Sequence, residues 1–515
     1  MSTLEEWIAA EARYATQTML GAISATRLLM ERPGFGQRVI PRPGSILASP
    51  VPAHYDPDPD YFFHWFRDAA IVIEALRVAL IAGYADRSAL ERLREFARFS
   101  HALHSLSGQQ FLRHSDFRIR TRPDFLQYLR PDDEIAALSG ERLLADVRVN
   151  ADGTPDFIRW GRPQTDGPAL RAIALLRWRQ EFPALCQDAL LHAACTEVIG
   201  ADLAFVLTYV RKPSRDLWEE ESGYHYYTQL VQAEALLRGT AWLEEAGQHL
   251  RAQACRLAAA EALSRLDRFW SDSDGFYRSR SAVDSTAGHR DPDIAVVLAV
   301  LHAARAGDRH SVLDPKAQAT LTALEEFFEA EFALNRGRPA GRGPAMGRYP
   351  NDRYYGGGAW YLATLAAAEF YFRLAAALAS GAPLPLTPEN LRFRQRLGAA
   401  ASAGAAASAG AAASAGAAAS AGAVASVGAA ATAAAATEPT QLALERGDAI
   451  MRTVQAFTPE GGQLSEQFDR TSGAQTSAKH LSWSYAAFIT AAASRAQACH
   501  SMKAARHATN PAGSV

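Results

Sequence analysis

The sequence predicts an all-α domain in which pairs of helices close into a ring. Apolar residues recur at helical spacing in nine segments separated by breakers rich in Gly, Pro and Asp, and no comparable series of alternating strands appears. No polar linker divides the chain before residue 380, so one large domain is favoured over the roughly three that 515 residues would ordinarily suggest. The nine segments are 69–82, 168–178, 184–199, 224–242, 251–270, 292–304, 315–332, 358–378 and 474–493.

Charge and composition exclude several classes of protein. Lysine and arginine total 53 against 55 acidic residues, a balance that argues against nucleic acid or an anionic membrane as the main partner. No strongly apolar run reaches the ~18 residues of a membrane span. The four cysteines show no CxxC pair or metal-ligand spacing, so we expect free thiols, no metal and no cofactor. The N-terminus lacks the features of a signal peptide, which favours the cytoplasm, although a trimmed signal would leave the same sequence.

One segment differs from the rest of the chain. Residues 398–437 consist almost entirely of Ala, Ser and Gly, with glycine at every sixth position from 398 to 428. This repeat forms no apolar stripe on a helix and has nothing large to bury, so it predicts a mobile or marginally helical insertion. Residues 1–397 and 438–500 then form one folded domain, and residues 501–515 form a flexible tail.

Five segments share one pattern, an aromatic and polar loop that leads into an apolar helix. In a ring of helical hairpins such loops could share one rim. Tryptophan and tyrosine faces, arginine forks and carboxylates are the groups that bind the C–H surfaces and the vicinal hydroxyls of sugars. The segments are 60–68, 160–167, 216–220, 347–354 and 464–469.

These loops offer four carboxylates for catalysis: Asp68, Glu219, Glu220 and Glu466. Glycoside cleavage typically needs two carboxyl groups, one as the acid and one as the base or nucleophile. A carboxylate at the start of a helix is more often a cap that the helix dipole stabilises. The residue types and their spacing alone do not choose among the four.

Four motifs decide the question by resemblance. They are WGRPQTDGPALRA from residue 160, DLWEE from 216, RYPNDRYYGGGAWYLATLAAAE from 348 and SEQFDRTSGAQTSAKHLSWSYAA from 465. In this order they resemble glycoside hydrolase family 15, the glucoamylase family, in its fungal-type branch. The resemblance implies an (α/α)6 toroid and an exo-acting enzyme that releases β-D-glucose, with inversion, from the non-reducing ends of α-1,4-glucans such as starch, glycogen and maltooligosaccharides.

The resemblance also implies a role for each matched residue. Glu219 in DLWEE matches the general acid, and Glu466 in the SEQ motif matches the general base that activates water. Asp216 matches a residue that supports the acid. The matched substrate-binding residues are Tyr61, Trp65, Arg67, Asp68, Trp160, Glu220, Arg348 and Trp483.

Two departures from the family pattern stand close to these motifs. The family's usual YPED motif is replaced here by Tyr349-Pro350-Asn351-Asp352, which removes one carboxylate near the pocket. In the second departure, glycines 356–358 predict a more flexible loop. A glucodextranase, a trehalase and a carbohydrate-binding homologue without turnover stay open as alternatives, as does the oligomeric state. By helical spacing, Trp178, Trp218 and Trp242 are predicted to be core residues rather than sugar platforms, and His64 is predicted to be packed or hydrogen-bonded.

Overall fold

Twelve long helices build the fold in the computed structural model, which describes residues 3–281, 290–398 and 429–509. Most of them begin after a Gly-, Pro- or Asp-rich loop, as the breakers in the sequence predict. They are α1 Leu4–Ala22, α2 Phe66–Ile81, α3 Leu90–Ala102, α4 Asp166–Glu181, α5 Ala189–Tyr209, α6 Tyr226–Glu245, α7 His249–Leu266, α8 Ala295–Ala303, α9 Pro315–Glu331, α10 Tyr361–Ala379, α11 Ala429–Phe457 and α12 Ser482–Thr509.

The even-numbered helices form a closed inner ring. Around it α2 contacts α4, α4 contacts α6, and the series continues through α8, α10 and α12 back to α2. The odd-numbered helices lie outside: α1 packs on α12, α5 on α4, α7 on α6, α9 on α8 and α11 on α10, while α3 packs on α5. Six inner and six outer helices in alternation are an (α/α)6 toroid, and the predicted fold class is confirmed.

Burial explains which helices lie inside. Helix α10 is buried on every side along nearly its whole length, whereas α3 buries only the face that carries Leu93, Phe96 and Ala97. Helices α5 and α10 are long and apolar enough to span a membrane by length and composition. The most apolar stretch of α10 is 78% buried inside the protein and that of α5 is 50% buried, which is typical of core helices in a folded domain.

Short strands and turns fill the loops at the rim. The described residues contain eleven strands of two or three residues, all in antiparallel pairs or in one three-stranded sheet of order β11-β10-β9. They are β1 Met30–Arg32, β2 Gln37–Val39, β3 His64–Trp65, β4 Arg148–Val149, β5 Ser214–Arg215, β6 Ser222–Gly223, β7 Trp270–Ser271, β8 Phe276–Tyr277, β9 Ala359–Trp360, β10 Gln467–Phe468 and β11 Gln475–Thr476. Short helices cover Gly108–His114, Phe117–Arg120, Asp132–Ala136, Glu141–Leu144 and residues 391–398, and 3₁₀ turns cover Pro33–Phe35, Arg87–Ala89, Leu103–Ser105, Pro123–Tyr128, Pro183–Gln187, Asp267–Phe269, Ala333–Asn335 and Tyr354–Gly356.

Several predicted boundaries differ from the structure. Helices α1, α3 and α11 are absent from the nine predicted segments, although the sequence also indicates a helix at 441–456, within α11. The segment predicted at 474–493 begins as a helix only at Ser482, since residues 475–476 pair in a strand. Helix α11 starts at Ala429, inside the predicted insertion, and α12 continues to Thr509, inside the predicted tail. Residues 399–428 of the insertion and 510–515 of the tail lie outside the described residues.

The inner helices all run in the same direction. The predicted site residues precede or begin α2, α4, α6, α10 and α12, so the N-terminal ends of the inner ring meet at one rim. At the opposite end the C-terminal halves of the same helices surround a cavity of about 920 Å³. Its arginines are paired with carboxylates or cap helix ends, as Arg177 does with Glu74 and the carbonyl of Ala303. The loops at the N-terminal rim therefore hold the candidate site.

Candidate active site

A cavity of about 240 Å³ lies at the N-terminal rim of the inner ring. Ten of the eleven site residues predicted from the sequence line it. They are Tyr61, Trp65, Arg67, Asp68, Trp160, Glu219, Glu220, Arg348, Glu466 and Trp483. The other predicted residue, Asp216, lies behind the lining and holds its backbone, as described next.

Glu219 stands at the tip of a tight hairpin. Strands β5 and β6 pair on either side of residues 216–221, and one carboxylate oxygen of Asp216 accepts from the amides of Glu220 and Glu221 at 2.8 and 2.9 Å. Glu219 has φ +67°, a left-handed conformation that is uncommon for a residue with a side chain. Burial raises the pKa of Asp216 to about 6, although the two amides oppose the shift. Asp216 thus holds the turn that directs Glu219 into the cavity.

Both carboxylate oxygens of Glu219 accept hydrogen bonds from indoles. Trp65 donates Nε1–H to Oε1 at 2.8 Å, and Trp160 donates Nε1–H to Oε2. The guanidinium of Arg67 also donates to Oε1, at 3.0 Å. These three donors come from the loop before α2, the start of α2 and the loop before α4, so three parts of the chain fix one carboxylate.

Glu466 is the second carboxylate of the cavity. It immediately precedes β10, the central strand of the three-stranded sheet, and its amide donates to the carbonyl of Ala478 at 2.8 Å. The Ser477 hydroxyl donates to Oε2 of Glu466. Burial raises the pKa of Glu466 to about 7, while the Ser477 bond, the charge of Arg348 and the Tyr61 hydroxyl act in the opposite direction.

Arg67 and Asp68 lie in the first turn of α2, and the Arg67 guanidinium is close to two carboxylates, those of Asp68 and Asp166. The Arg67 guanidinium lies 3.5 Å from Oδ2 of Asp68 and 3.4 Å from Oδ2 of Asp166, the first residue of α4. Among the described residues, Oδ2 of Asp68 has no hydrogen-bond donor even though the side chain is buried. Burial raises the pKa of Asp68 to about 6, against the charge of Arg67. This oxygen is buried against the Arg67 guanidinium as its ion-pair partner.

Arg348 is the second fixed cation. Its guanidinium donates to Oδ1 and Oδ2 of Asp352 at 2.6 and 2.8 Å and to Oε1 of Glu220 at 3.1 Å. Rings surround it at 4.9–5.2 Å from their centroids, and they belong to Trp218, Tyr349, Tyr354 and Trp360. Of the unusual Asn351-Asp352 pair, Asp352 thus orients Arg348, whereas Asn351 is exposed.

Trp483 separates the cavity from the 920 Å³ space below, because it lines both. The Arg67 guanidinium lies 5.4 Å from its ring centroid on one side, and the His302 ring lies 5.9 Å away. The Tyr227 hydroxyl and Nδ1 of His302 share a 2.8 Å hydrogen bond behind this pair. Burial lowers the pKa of His302 to about 3, so the imidazole is neutral. The Trp483 ring, with the neutral His302 behind it, thus forms an aromatic partition between the two cavities.

The structure corrects one prediction and adds residues to the site. Trp218, predicted to be core, lies in the hairpin loop rather than on a helix, lines the cavity and donates Nε1–H to Asp293 at 3.1 Å. Tyr354 also lines the cavity, and its hydroxyl bonds that of Tyr61 at 2.6 Å. Both lie in quoted motifs, so position alone could have found them. Trp178 and His64 are buried as predicted, and the pKa of His64 is lowered to about 3 by burial.

Comparisons with known proteins agree with this geometry. Residues 144–493 match the model of the glycosyl hydrolases family 15, which is more than half of the chain. The chain belongs to glycoside hydrolase family 15. Over 474 residues it is 30% identical to glucoamylase-1 of Schizophyllum commune, an alignment that covers 91% of this chain and 72% of that protein.

Other family 15 proteins give a similar result. A solved glucoamylase of Hypocrea jecorina superposes with a TM-score of 0.74 at 27% identity, over 96% of this chain and 72% of that one. A glucoamylase of Neurospora crassa is 30% identical over 64% of this chain and 49% of its own length. The chain thus spans about half the length of the first curated relatives it matches.

Proposed function

We propose that this family 15 protein is an exo-acting inverting glycosidase that releases β-D-glucose from the non-reducing ends of α-1,4-glucans. The observation that carries the proposal is that Glu219 and Glu466 line one cavity together with Arg67, Asp68 and Arg348. A cavity of about 240 Å³ that the Trp483 ring closes on its lower side suits a short saccharide end rather than the middle of a long chain. The curated relatives named above are glucoamylases, which supports an α-glucan as the substrate.

Glu219 acts as the general acid in this proposal. It protonates the glycosidic oxygen as the bond to the anomeric carbon breaks. Both of its oxygens accept indole hydrogen bonds in the structure. The oxygen that carries the proton must face the leaving group, so we expect substrate to displace one of the two indoles.

Glu466 acts as the general base. It removes a proton from a water that attacks the anomeric carbon on the face opposite the leaving group. Ser477 holds Oε2 of Glu466, which fixes the carboxylate plane and leaves Oε1 to bind the water. Inversion needs room for that water, so the two carboxyl groups are expected to lie about 6.5–9.5 Å apart in the substrate complex.

Arg67, Asp68 and Arg348 bind the terminal sugar. A guanidinium donates two parallel hydrogen bonds to neighbouring oxygens, and the Asp68 carboxylate, which lines the cavity, accepts from a hydroxyl. The rings around Arg348 and the Trp65–Trp160 pair supply the apolar faces that the C–H side of a sugar requires.

The test compares two single variants on two substrates. Glu219→Gln removes the transferable proton, so maltose turnover is expected to fall at least ~10²-fold. α-Glucosyl fluoride has a better leaving group and should recover part of the rate. Glu466→Gln lacks water activation, so the fluoride should not rescue it, whereas azide could by attacking from the base side. Equal loss on both substrates for both variants would contradict the assigned roles.

Maltotriose, isomaltose and trehalose serve as the substrate panel for linkage. Glucose from maltotriose at the highest rate is the expected result. Trehalose or isomaltose as the preferred substrate would replace the α-1,4 assignment, and release of no glucose from any of them by the folded wild type would contradict hydrolysis itself.

A further inference from the structure

Arg148 lies directly beneath the two indoles that bind Glu219. The centre of its guanidinium is 3.9 Å from the centroid of Trp160, 4.6 Å from that of Trp65 and 3.9 Å from that of Phe63. The residue is fully buried, and its NH1 and NH2 groups have no hydrogen-bond acceptor among the described residues. Three aromatic faces take the place of those acceptors, so this cation interacts with the rings themselves.

A buried chain of alternating charges ends at Arg148. Arg130 pairs with Asp146 at 2.9 Å, Arg162 bridges Asp146 and Asp156, and Nε of Arg148 donates to Asp156 at 2.9 Å. Three arginines and two aspartates form the buried part of this chain, and Arg130 at its far end also lies 3.6 Å from the exposed Glu134. The charge at the Arg148 end faces the indoles and, beyond them, the Glu219 carboxylate, which is an electrostatic partner of Arg148.

We propose that Arg148 is a positioning residue for the general acid: it holds the Trp65 and Trp160 rings in the orientation that binds Glu219 and places a fixed positive charge behind that carboxylate. The inference rests on the proposed function. Arg148 does not line the cavity and is not offered as a substrate-binding residue. A stacked guanidinium suits this task, because a lysine would keep the charge but lose the planar face.

Charged and titratable groups other than Arg148 also interact with Glu219. Arg67 donates to Glu219 directly, Asp68 and Asp166 interact with it as like charges, and Tyr61 faces it across the cavity. Around Arg148 itself, besides Asp156 and Arg162, the Tyr55 ring adds a further titratable group. The charge of Arg148 also acts on the pKa of Asp156 and of Tyr55, so Arg148→Lys, which keeps the charge, is compared with Arg148→Met.

The test uses Arg148→Met, Arg148→Lys and a matched control, Arg171→Met. Without Arg148, Asp146 stays paired with Arg130 and Arg162 and Asp156 stays paired with Arg162, so Arg148→Met leaves neither aspartate unpaired. Arg171 is likewise buried, paired with Asp202 at 2.7 and 2.9 Å and stacked near Phe66, and the structure shows no contact between it and Trp65, Trp160 or Glu219 in the described residues. Thermal unfolding of each variant measures the structural cost.

The deciding readouts are the pH profile of kcat/KM and the ratio of rates on maltose and α-glucosyl fluoride. A cation favours the ionised acid, so Arg148→Met should move the basic limb to higher pH by about half a unit or more. Maltose turnover should fall roughly tenfold, with a smaller loss on the fluoride, which needs less protonation. Arg148→Lys keeps the charge but loses the planar face. Its basic limb should therefore lie where that of the wild type does, while its maltose turnover stays low. Arg171→Met should lower the thermal stability. It should leave the basic limb of the kcat/KM profile and the ratio of the maltose and fluoride rates unchanged.

Two outcomes separate the inference from the proposed function. A wild type that hydrolyses no glucan would overturn both. An active wild type whose Arg148→Met variant keeps the basic limb and the ratio of the two rates, and differs only in thermal stability as Arg171→Met does, would overturn the positioning role alone.

Discussion

At the scale of single residues, the chemistry depends on two carboxyl groups held in different ways. Glu219 receives three hydrogen-bond donors, two of them indoles. Glu466 is stabilised by the Ser477 and Tyr61 hydroxyls, but its burial outweighs them and raises its pKa to about 7. A base must be ionised to accept a proton from water, so the acid limb of the kcat/KM profile is expected near neutral pH rather than in the ordinary glutamate range.

Substitution of Ser477 tests whether Glu466 sets the acid limb of the kcat/KM profile. Its hydrogen bond to Glu466 favours the ionised carboxylate, so Ser477→Ala should raise the pKa of Glu466 further and move the acid limb to higher pH. Ser484→Ala is the control, because Ser484 is equally buried but donates to the carbonyl of Ser465. A kcat/KM profile that does not move for Ser477→Ala would show that Glu466 does not set this limb.

Burial of Glu466 also predicts a cost to stability. Its pKa is about 7 in the folded state against an ordinary 4.5, so the folded state binds the proton more tightly. Stability is therefore lost as pH rises from about 4.5 to about 7 and does not return above that. Glu466→Gln should match the wild type near pH 4 and exceed its free energy of unfolding by about 1–3 kcal/mol at pH 8.

The control for that prediction is Glu325→Gln. The Glu325 carboxylate is buried but paired with Arg396 at 3.0 Å and Arg446 at 2.8 Å, so its neutralisation should destabilise the protein at pH 8. Chemical denaturation at the two pH values measures both variants. A Glu466→Gln variant less stable than the wild type at pH 8 would contradict the account of its burial.

At the scale of elements, the first turns of α2 and α4 approach closely enough to exclude a side chain at Gly167. A Cβ on this glycine would lie 2.6 Å from Cβ of Phe66 and 3.0 Å from the amide nitrogen of Arg67. Gly167→Ala should therefore push α2 away from α4, displace Arg67 from Glu219 and lower both the thermal stability and kcat/KM. Gly200→Ala on α5 is the control, since nothing lies within 4 Å there, and it should be neutral or stabilising by about 0.5–1 kcal/mol. Equal behaviour of the two variants would contradict the tight contact.

Local sequence explains some elements and not others. The buried inner helices, such as α10, show a strong apolar pattern, so the sequence predicts them within a few residues. The buried residues of α3 follow helical spacing, but its exposed face carries Glu91, Arg92 and Arg98, so the segment is less apolar overall than the inner helices. The start of α12 depends on the pairing of residues 475–476 with β10, a contact that local periodicity does not contain.

The same division holds for the site. Every residue that lines the cavity except Ala48 lies in a motif with aromatic and charged side chains, and the resemblance implies roles for the matched ones. Arg148 carries no such signal, because it meets Trp65 by pairing of β4 with β3 and meets Trp160 by packing, and both contacts form only in the folded chain. Helical spacing predicts Trp218 to be a core residue, because that pattern does not show that the residue lies in a hairpin loop.

At the scale of the whole molecule, the toroid gathers the N-terminal ends of the inner helices at one rim. Loops distant in sequence, such as 60–68 and 464–469, then line one cavity. The arrangement places the two glutamates on separate loops, with Glu219 between α5 and α6 and Glu466 between α11 and α12. Such separation permits two carboxyl groups with different tasks on opposite sides of a sugar, which is the basis of the proposed inversion.

The anomeric form of the first product tests this account most directly. Maltotriose is hydrolysed by the wild type in an NMR tube, and the anomeric proton signals are followed before mutarotation equilibrates them. The account predicts that β-glucose appears first and that α-glucose grows only later through mutarotation. Early release of α-glucose would contradict inversion and would require Glu466 to act as something other than the base that activates water.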